Sequence, residues 1–218
     1  MIVDTMTLKE VGETILKTVP KVIPTIFEML ERKGKNYRKI IIKGEKERYD
    51  FNPIHITTDG INFIMYPYSL GKKHYKKNGI LCYLIAHVYY NNTNWYCTIN
   101  YDLQSVQMYC NHFFMRYIER HVKDGSMVNV EIVRKYFKEI NYLTTIYEIE
   151  NYKHEDCIYA ATNIGLCCGR LVSNQVYIYL TYIDRETLTI GDKRKAFDDG
   201  QKLLETVELG IKEFINVA

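Results

Sequence analysis

Two blocks of strand-forming sequence, separated by helix-forming sequence, restrict this chain more than any other feature. In the first block, His55 to Asn100, Ile61 to Tyr68 is dense in aromatic and β-branched residues. Ile80 to Tyr90 and Trp95 to Ile99 are further apolar runs. That composition suits a pleated, half-buried surface. The second block holds Cys157 to Thr162, Gly165 to Val172 and Gln175 to Ile183. Short turn signals punctuate both blocks: Asp59-Gly60, Asn91 to Asn94, Asn163-Ile164 and Ser173-Asn174. Brief Gly- and Asn-containing connections of this kind build hairpins. The expected sheet is therefore largely antiparallel.

Helical periodicity surrounds these blocks. Thr7 and Glu10 form a capping-box pattern, followed by Val11, Ile15, Leu16 and Val19 at helical spacing. Pro20 and Pro24 interrupt that pattern, since each lacks an amide donor, and Pro24 is expected to open a second short helix with Ile26, Phe27 and Leu30. Arg32, Lys33, Lys35, Arg38 and Lys39 then read as a solvated helix end and loop, or as a group that meets phosphate. Leu103 to Tyr109 reads as an extended lead into a helix over Asn111 to Val122, which Asn111 would cap. A second helix runs from Asn129 to Tyr142 with Asn129 as its cap, and Asp192 to Asn216 carries a stripe of Phe197, Leu204, Val207, Ile211 and Phe214. The expected fold is one α+β domain over residues 1–218. It has an N-terminal helical segment, a largely antiparallel sheet, two middle helices and a long C-terminal helix. Residues 1–35 either pack on the core or form an arm for a protein partner.

A length of 218 residues suits a single large domain, and a formal net charge of +3 permits an acidic partner such as RNA without requiring one. The 20 tyrosines can supply a base-stacking surface or reflect a composition biased toward Lys, Asn, Ile and Tyr. Six cysteines in apolar surroundings read as free thiols of a reducing, cytoplasmic compartment. No signal-peptide pattern opens the sequence and no apolar run is long enough to span a bilayer, so no membrane association is expected. Nucleotide-binding glycine motifs are absent, which removes the sequence case for such a cofactor. His154, Cys157, Cys167 and Cys168 lack the paired spacing of a zinc site, and adjacent strand cysteines point to opposite faces. No cofactor is expected.

The chemistry concentrates on the helix from Asn111. At about 100° per residue, His112, Arg116, Glu119 and Arg120 fall in one arc, with Phe114, Tyr117, Ile118 and His121 opposite. A histidine can exchange protons near neutrality, and an arginine can hold a phosphate through two parallel hydrogen bonds. Cleavage of RNA by its own 2′-hydroxyl needs that pairing. A surface helix also carries such residues as ordinary ion pairs, here Glu119 with Arg116 or Lys123.

The pattern His112-x-x-x-Arg116-x-x-Glu119-Arg120, followed by a second helix and three strands, resembles small RelE-like and related barnase-type ribonuclease toxins. The resemblance covers roughly Leu103 to Asp184. It implies a metal-independent ribonuclease with His112 as acid/base and Arg116 and Arg120 on the scissile phosphate. Glu119 would stand beside them, Arg170 would add positive charge, and Thr181, Tyr179 or Tyr182 on the last strand would face the helix. The other reading is a non-catalytic binding or regulatory protein, encoded by a phage or other mobile element, that holds a protein or nucleic-acid partner through the N-terminal helices or a tyrosine-rich sheet face.

Overall fold

A computed structural model describes residues 2–99, 104–125, 128–140, 145–148, 157–189 and 191–217, without the side chains of 145–148 and 207–217. The chain divides into two compact units, Met1–Val106 and Gln107–Ala218. It is an α+β protein in which every strand pair given below with its register is antiparallel.

The first unit opens with α1 (Leu8–Lys43), started by the expected Thr7–Glu10 capping box. The expected break at the prolines does not occur: α1 runs unbroken through Pro20 and Pro24. Four residues apart, the two rings share the solvent face. The carbonyls they free can then be hydrated, while Val11, Ile15, Val19, Val22 and Ile26 keep a continuous buried stripe on the other side. The helix also absorbs the basic segment expected to be a helix end and loop. Near its C-terminus, Tyr37 stacks on Phe51 with ring centroids 4.0 Å apart, and Ile41 and Tyr49 complete that cluster.

After α1 come β1 (Tyr49–Asp50), β2 (Ile54–Thr58) and β3 (Ile61–Ser69). Both β1 and β2 pair with β3, which pairs in turn with β4 (Leu81–Tyr90), and β4 with β5 (Thr93–Ile99). Asp59 and Gly60 take φ of 54° and 78°, and Asn91 and Asn92 take 46° and 56°. These left-handed pairs are what two-residue hairpin turns demand, and they explain the choice of Asp-Gly and Asn-Asn. Sequence reading misses α2 (Gly71–Asn78) between β3 and β4. Its periodic apolar content is slight, and only Gly71 among its residues is buried.

The second unit holds β6 (Val106–Cys110), α3 (Asn111–Tyr117), a π-turn (Ile118–Val122), α4 (Val130–Glu139), β7 (Thr145–Glu148), β8 (Cys157–Ala161), β9 (Gly165–Ser173), β10 (Val176–Asp184), a 3-10 turn (Arg185–Thr187) and α5 (Asp192–Val217). The strand order is β6-β10-β9-β8-β7. Asn129 caps α4 as expected, its side chain accepting from the amides of Glu131 and Ile132. Asn111 does not cap α3; Cys110 is the cap residue and Asn111 is the first helical one. Phe197 and Leu204 of α5 are buried as expected, whereas the side chains of Val207, Ile211 and Phe214 lie outside the described residues. On the other sheet face, α3 and α4 pack through a cluster of aromatic rings that includes Tyr109, Phe113, Tyr136 and Tyr182.

One irregularity decides which side chains of β10 face those helices. The β9–β10 register runs Tyr179 with Gly169 and then Thr181 with Cys168, so Leu180 is bulged out. Tyr179 and Tyr182 therefore share a face although they are three apart. Gly169 lies opposite the bulge, where any Cβ would collide with the Ile178 carbonyl. Among the described residues all six cysteines are free thiols, and no helix is long and apolar enough to cross a membrane.

Candidate functional site

The helix face singled out from sequence is solvent-exposed. His112 is exposed, and Arg116 Nε lies 3.4 Å from His112 Nε2. Arg116 Nη1 also donates to Glu119 Oε2 at 2.7 Å, the ordinary ion pair that was the alternative for this face. Arg120 is turned away, with Nη1 donating to the backbone carbonyl of Tyr182. The structure thus brings His112, Arg116 and Glu119 together and uses Arg120 to tie the π-turn to β10.

Arg170 and Thr181 belong to a different surface. Thr181 is paired with Cys168, which packs on the cluster of Tyr159, Leu166 and Phe197 under α5. Arg170 is exposed and in register with Cys157 and Ile178. By strand alternation both sit on the face opposite α3 and α4. Tyr179 and Tyr182 lie on the helix side of β10, where Tyr179 meets Tyr109 and Tyr182 meets Phe113, and both are fully buried. His154 lies outside the described residues, so the His154–Cys157 pair has no geometry to report. Cys167 meets the Tyr136 hydroxyl at 3.0 Å on the α4 side while Cys168 lies on the α5 side, so the vicinal pair does point both ways. Among the described residues, no group of three His, Cys, Asp or Glu is arranged to hold a metal ion.

A second polar constellation sits where sequence reading expected packing. The last turn of the α3 segment is π-helical, with the Lys123 amide donating to the Ile118 carbonyl at 2.7 Å and Lys123 at φ 57° closing it. Single π-turns are costly relative to α-helix and recur at functional positions. This one presents His121, half-buried, to two carboxylates. Its Nδ1 is 2.6 Å from Asp184 Oδ2, and its Nε2 is 3.5 Å from Glu139 Oε2. A carboxylate only accepts, so Nδ1 donates to Asp184, while Nε2 faces the second carboxylate, Glu139, at the longer distance.

Asp184 is only 3% exposed. It is held at the end of β10, with Oδ1 accepting the Glu186 amide at 2.9 Å. The Tyr117 hydroxyl donates to Glu139, and the Tyr117 ring stacks on His121 with centroids 5.5 Å apart. The Tyr182 hydroxyl donates to the Ile164 carbonyl at 2.8 Å. Burial, followed by the neighbouring Glu139, pushes the Tyr117 phenol far up; burial and Asp184 do the same to Tyr182. Both phenols therefore stay protonated and serve as donors.

The sequence did carry a trace of this site. Tyr117 and His121 are four apart on the packed side of the helix, and Asp184 is a charge at the end of an apolar strand. Neither signal shows that the π-turn and the β10 bulge aim them at each other.

In the first unit, a groove of about 680 Å³ is lined by Lys35, Arg38, Lys39, Ile42 and Lys43 of α1 and by Lys76 of α2. A smaller hollow of about 450 Å³ adjoins the start of α5, between Ile183 and Lys193.

Comparison of the chain with known protein families, with curated proteins and with solved structures finds no match.

Proposed function

We propose that the second unit is an acid–base ribonuclease that works without a metal ion. The observation that carries this reading is His121, partly open to solvent, with Nδ1 held at 2.6 Å by the buried Asp184 and Nε2 turned to Glu139 at 3.5 Å, so that the imidazole stands between two carboxylates. A histidine oriented by a fixed carboxylate is the arrangement that general acid–base catalysis requires. In the reaction, a base takes the proton of a 2′-hydroxyl, whose oxygen attacks the adjacent phosphorus. The 5′-oxygen then leaves with a proton from an acid, and a 2′,3′-cyclic phosphate remains. His112 beside Arg116 stands on the opposite arc of the same helix and is a separate candidate, an exposed imidazole next to a guanidinium.

The test is cleavage of labelled single-stranded and structured RNA with a chelator present. His121→Ala is expected to lower the rate by about two to four orders of magnitude, and a loss seen only with His112→Ala would move the site to the exposed arc of the helix. Arg116→Lys is expected to be impaired as well, because lysine keeps the charge but loses the planar fork. RNA left intact by the wild-type protein, with or without divalent ions, refutes the enzyme.

A specific observation favours the second reading, a non-catalytic binding protein. Arg116 is engaged by Glu119 and Arg120 by the Tyr182 carbonyl, so the two guanidinium groups expected on phosphate are already occupied. On this reading the protein binds its partner with no turnover.

A further inference from the structure

We propose that the basic groove between α1 and α2 of the first unit is a nucleic-acid site that holds the sugar-phosphate backbone irrespective of base sequence. Five of its six lining side chains are cations: Lys35, Arg38, Lys39, Lys43 and Lys76. None of the five has an ion-pair or hydrogen-bond partner among the described residues, in contrast to Lys21, Arg32 and Arg48 elsewhere in the same unit, which are paired with Asp59, Glu28 and Asp50. The reason lies in the sequence. From Lys33 to Lys43 α1 carries no acidic residue, and α2 carries none while holding four lysines in eight positions. Folding brings two cationic segments to one concavity without supplying a counter-charge, which disfavours the free protein unless an anion is taken up.

The spacing fits a repeating anion. Lys35, Arg38, Lys39 and Lys43 recur at helical intervals of three and four on one continuous helix. Lys35 and Lys43 are about 12 Å apart along the axis at 1.5 Å per residue. That is the length over which one strand of a duplex presents about three to four phosphates at 3.4 Å each. A rigid row of cations with Lys76 on the opposite wall is therefore matched to a strand lying along α1.

Two other polyanionic partners fit less well. The one apolar lining residue is Ile42, so the groove lacks the aromatic anchors on which a protein partner's affinity concentrates. A membrane surface needs an apolar helix face to insert, and this wall of α1 is concave and cationic instead. The inference does not rest on RNA cleavage by the second unit.

The test is fluorescence anisotropy with the full chain and a labelled 20-nucleotide single-stranded RNA, repeated with a DNA duplex across a salt series. With the roughly three to four phosphates that the row spans, the plot of log affinity against log salt for the single strand should have a slope of about −2 to −3, and each Lys→Ala change in the groove should reduce its magnitude by about 0.7. The double variant Arg38→Glu, Lys39→Glu should weaken binding at low salt at least tenfold. The charge-altered control Arg194→Ala, Lys202→Ala, on α5, should not. All the altered side chains are exposed, so unchanged thermal melting should accompany each variant. The proposal is overturned if neither nucleic acid binds at low salt, or if the groove and control variants weaken binding equally. It is also overturned if only phosphatidylserine vesicles or a polyglutamate peptide bind in a groove-dependent manner. His121→Ala should leave the isotherm unchanged, so loss of cleavage and loss of binding are read separately.

Discussion

The two clusters of charge in this protein are built in opposite ways. In the second unit, His121, Asp184, Glu139 and Tyr117 are partly or wholly buried and satisfy one another. In the first, the five cations of the α1–α2 groove are exposed and unpartnered among the described residues. Burying a charge is tolerable only when it is paired and hydrogen-bonded, so a satisfied network fixes geometry. Exposed, unpaired like charges hold no geometry, and they gain by releasing condensed counterions from a polyanion. The contrast therefore predicts that substitutions in the buried network of the second unit act on stability and turnover, and substitutions in the groove of the first unit act on binding alone.

The largest expected effect comes from the backbone that aims the buried network. Gly169→Ala places a methyl group against the Ile178 carbonyl opposite the β10 bulge. It should cost about 3 kcal/mol or more, read from the denaturation midpoint. An unchanged midpoint would mean that the bulge can shift freely and does not hold Tyr182 and Asp184 in place.

Asp184→Asn comes next. It removes the charged partner 2.6 Å from His121 while nearly preserving shape, and should cost about 2 kcal/mol, since His121 is half-open and water can replace part of the loss. By comparison Arg116→Ala, at a surface pair whose side chains are 38% and 50% exposed, should cost less than about 1 kcal/mol. Equal losses at the two sites would erase the distinction between a histidine held by a buried carboxylate and a solvated ion pair.

Alkaline pH sharpens the comparison from another side. Burial raises the Cys168 thiol from an ordinary 9.0 to about 12. The folded state therefore favours the neutral thiol, and this contribution is fully present below pH 9 and lost as pH rises from about 9 toward 12. Stability should fall over that window, and Cys168 should react with iodoacetamide at pH 8 more slowly than a free thiol. Rapid alkylation of Cys168 in the native protein would show that this sheet face opens to solvent. The smallest effect on stability, within about 0.5 kcal/mol, is expected for Lys39→Ala in the groove, which should nevertheless flatten the salt dependence of RNA binding.

Local chemistry was legible in the sequence where a residue type answers a local demand. The Thr7–Glu10 capping box, the Asn129 cap and the Asp59-Gly60 turn each stand where the pattern puts them, while the expected Asn91 to Asn94 loop shrinks to Asn91-Asn92 because Thr93 and Asn94 already belong to β5. The runs for β3, β4, β5, β8, β9 and β10 were readable for the same reason. Long-range compensation was not legible. Pro20 and Pro24 read as breaks, because nothing local shows that both rings face solvent while Ile15, Val19 and Val22 hold the opposite face. Strand alternation cannot anticipate that Leu180 is skipped, which keeps Tyr179 and Tyr182 on one face and sends Thr181 to the other. A helical wheel put His121 on the packed side, and only the π-turn together with the end of β10 turns that position into a histidine–carboxylate pair. The groove was half-visible as a basic segment, because Lys76 joins it only through the fold of α2.

The most direct test is single-turnover cleavage of a labelled 20-nucleotide RNA over a protein concentration series, comparing wild type with His121→Ala and with Arg38→Glu, Lys39→Glu. The account predicts that His121→Ala lowers the saturated rate by about two orders of magnitude or more with the half-saturating concentration unchanged. The groove variant should raise the half-saturating concentration at least tenfold and leave the saturated rate alone. An RNA that is bound but never cut, or two variants that shift the same quantity, would contradict it.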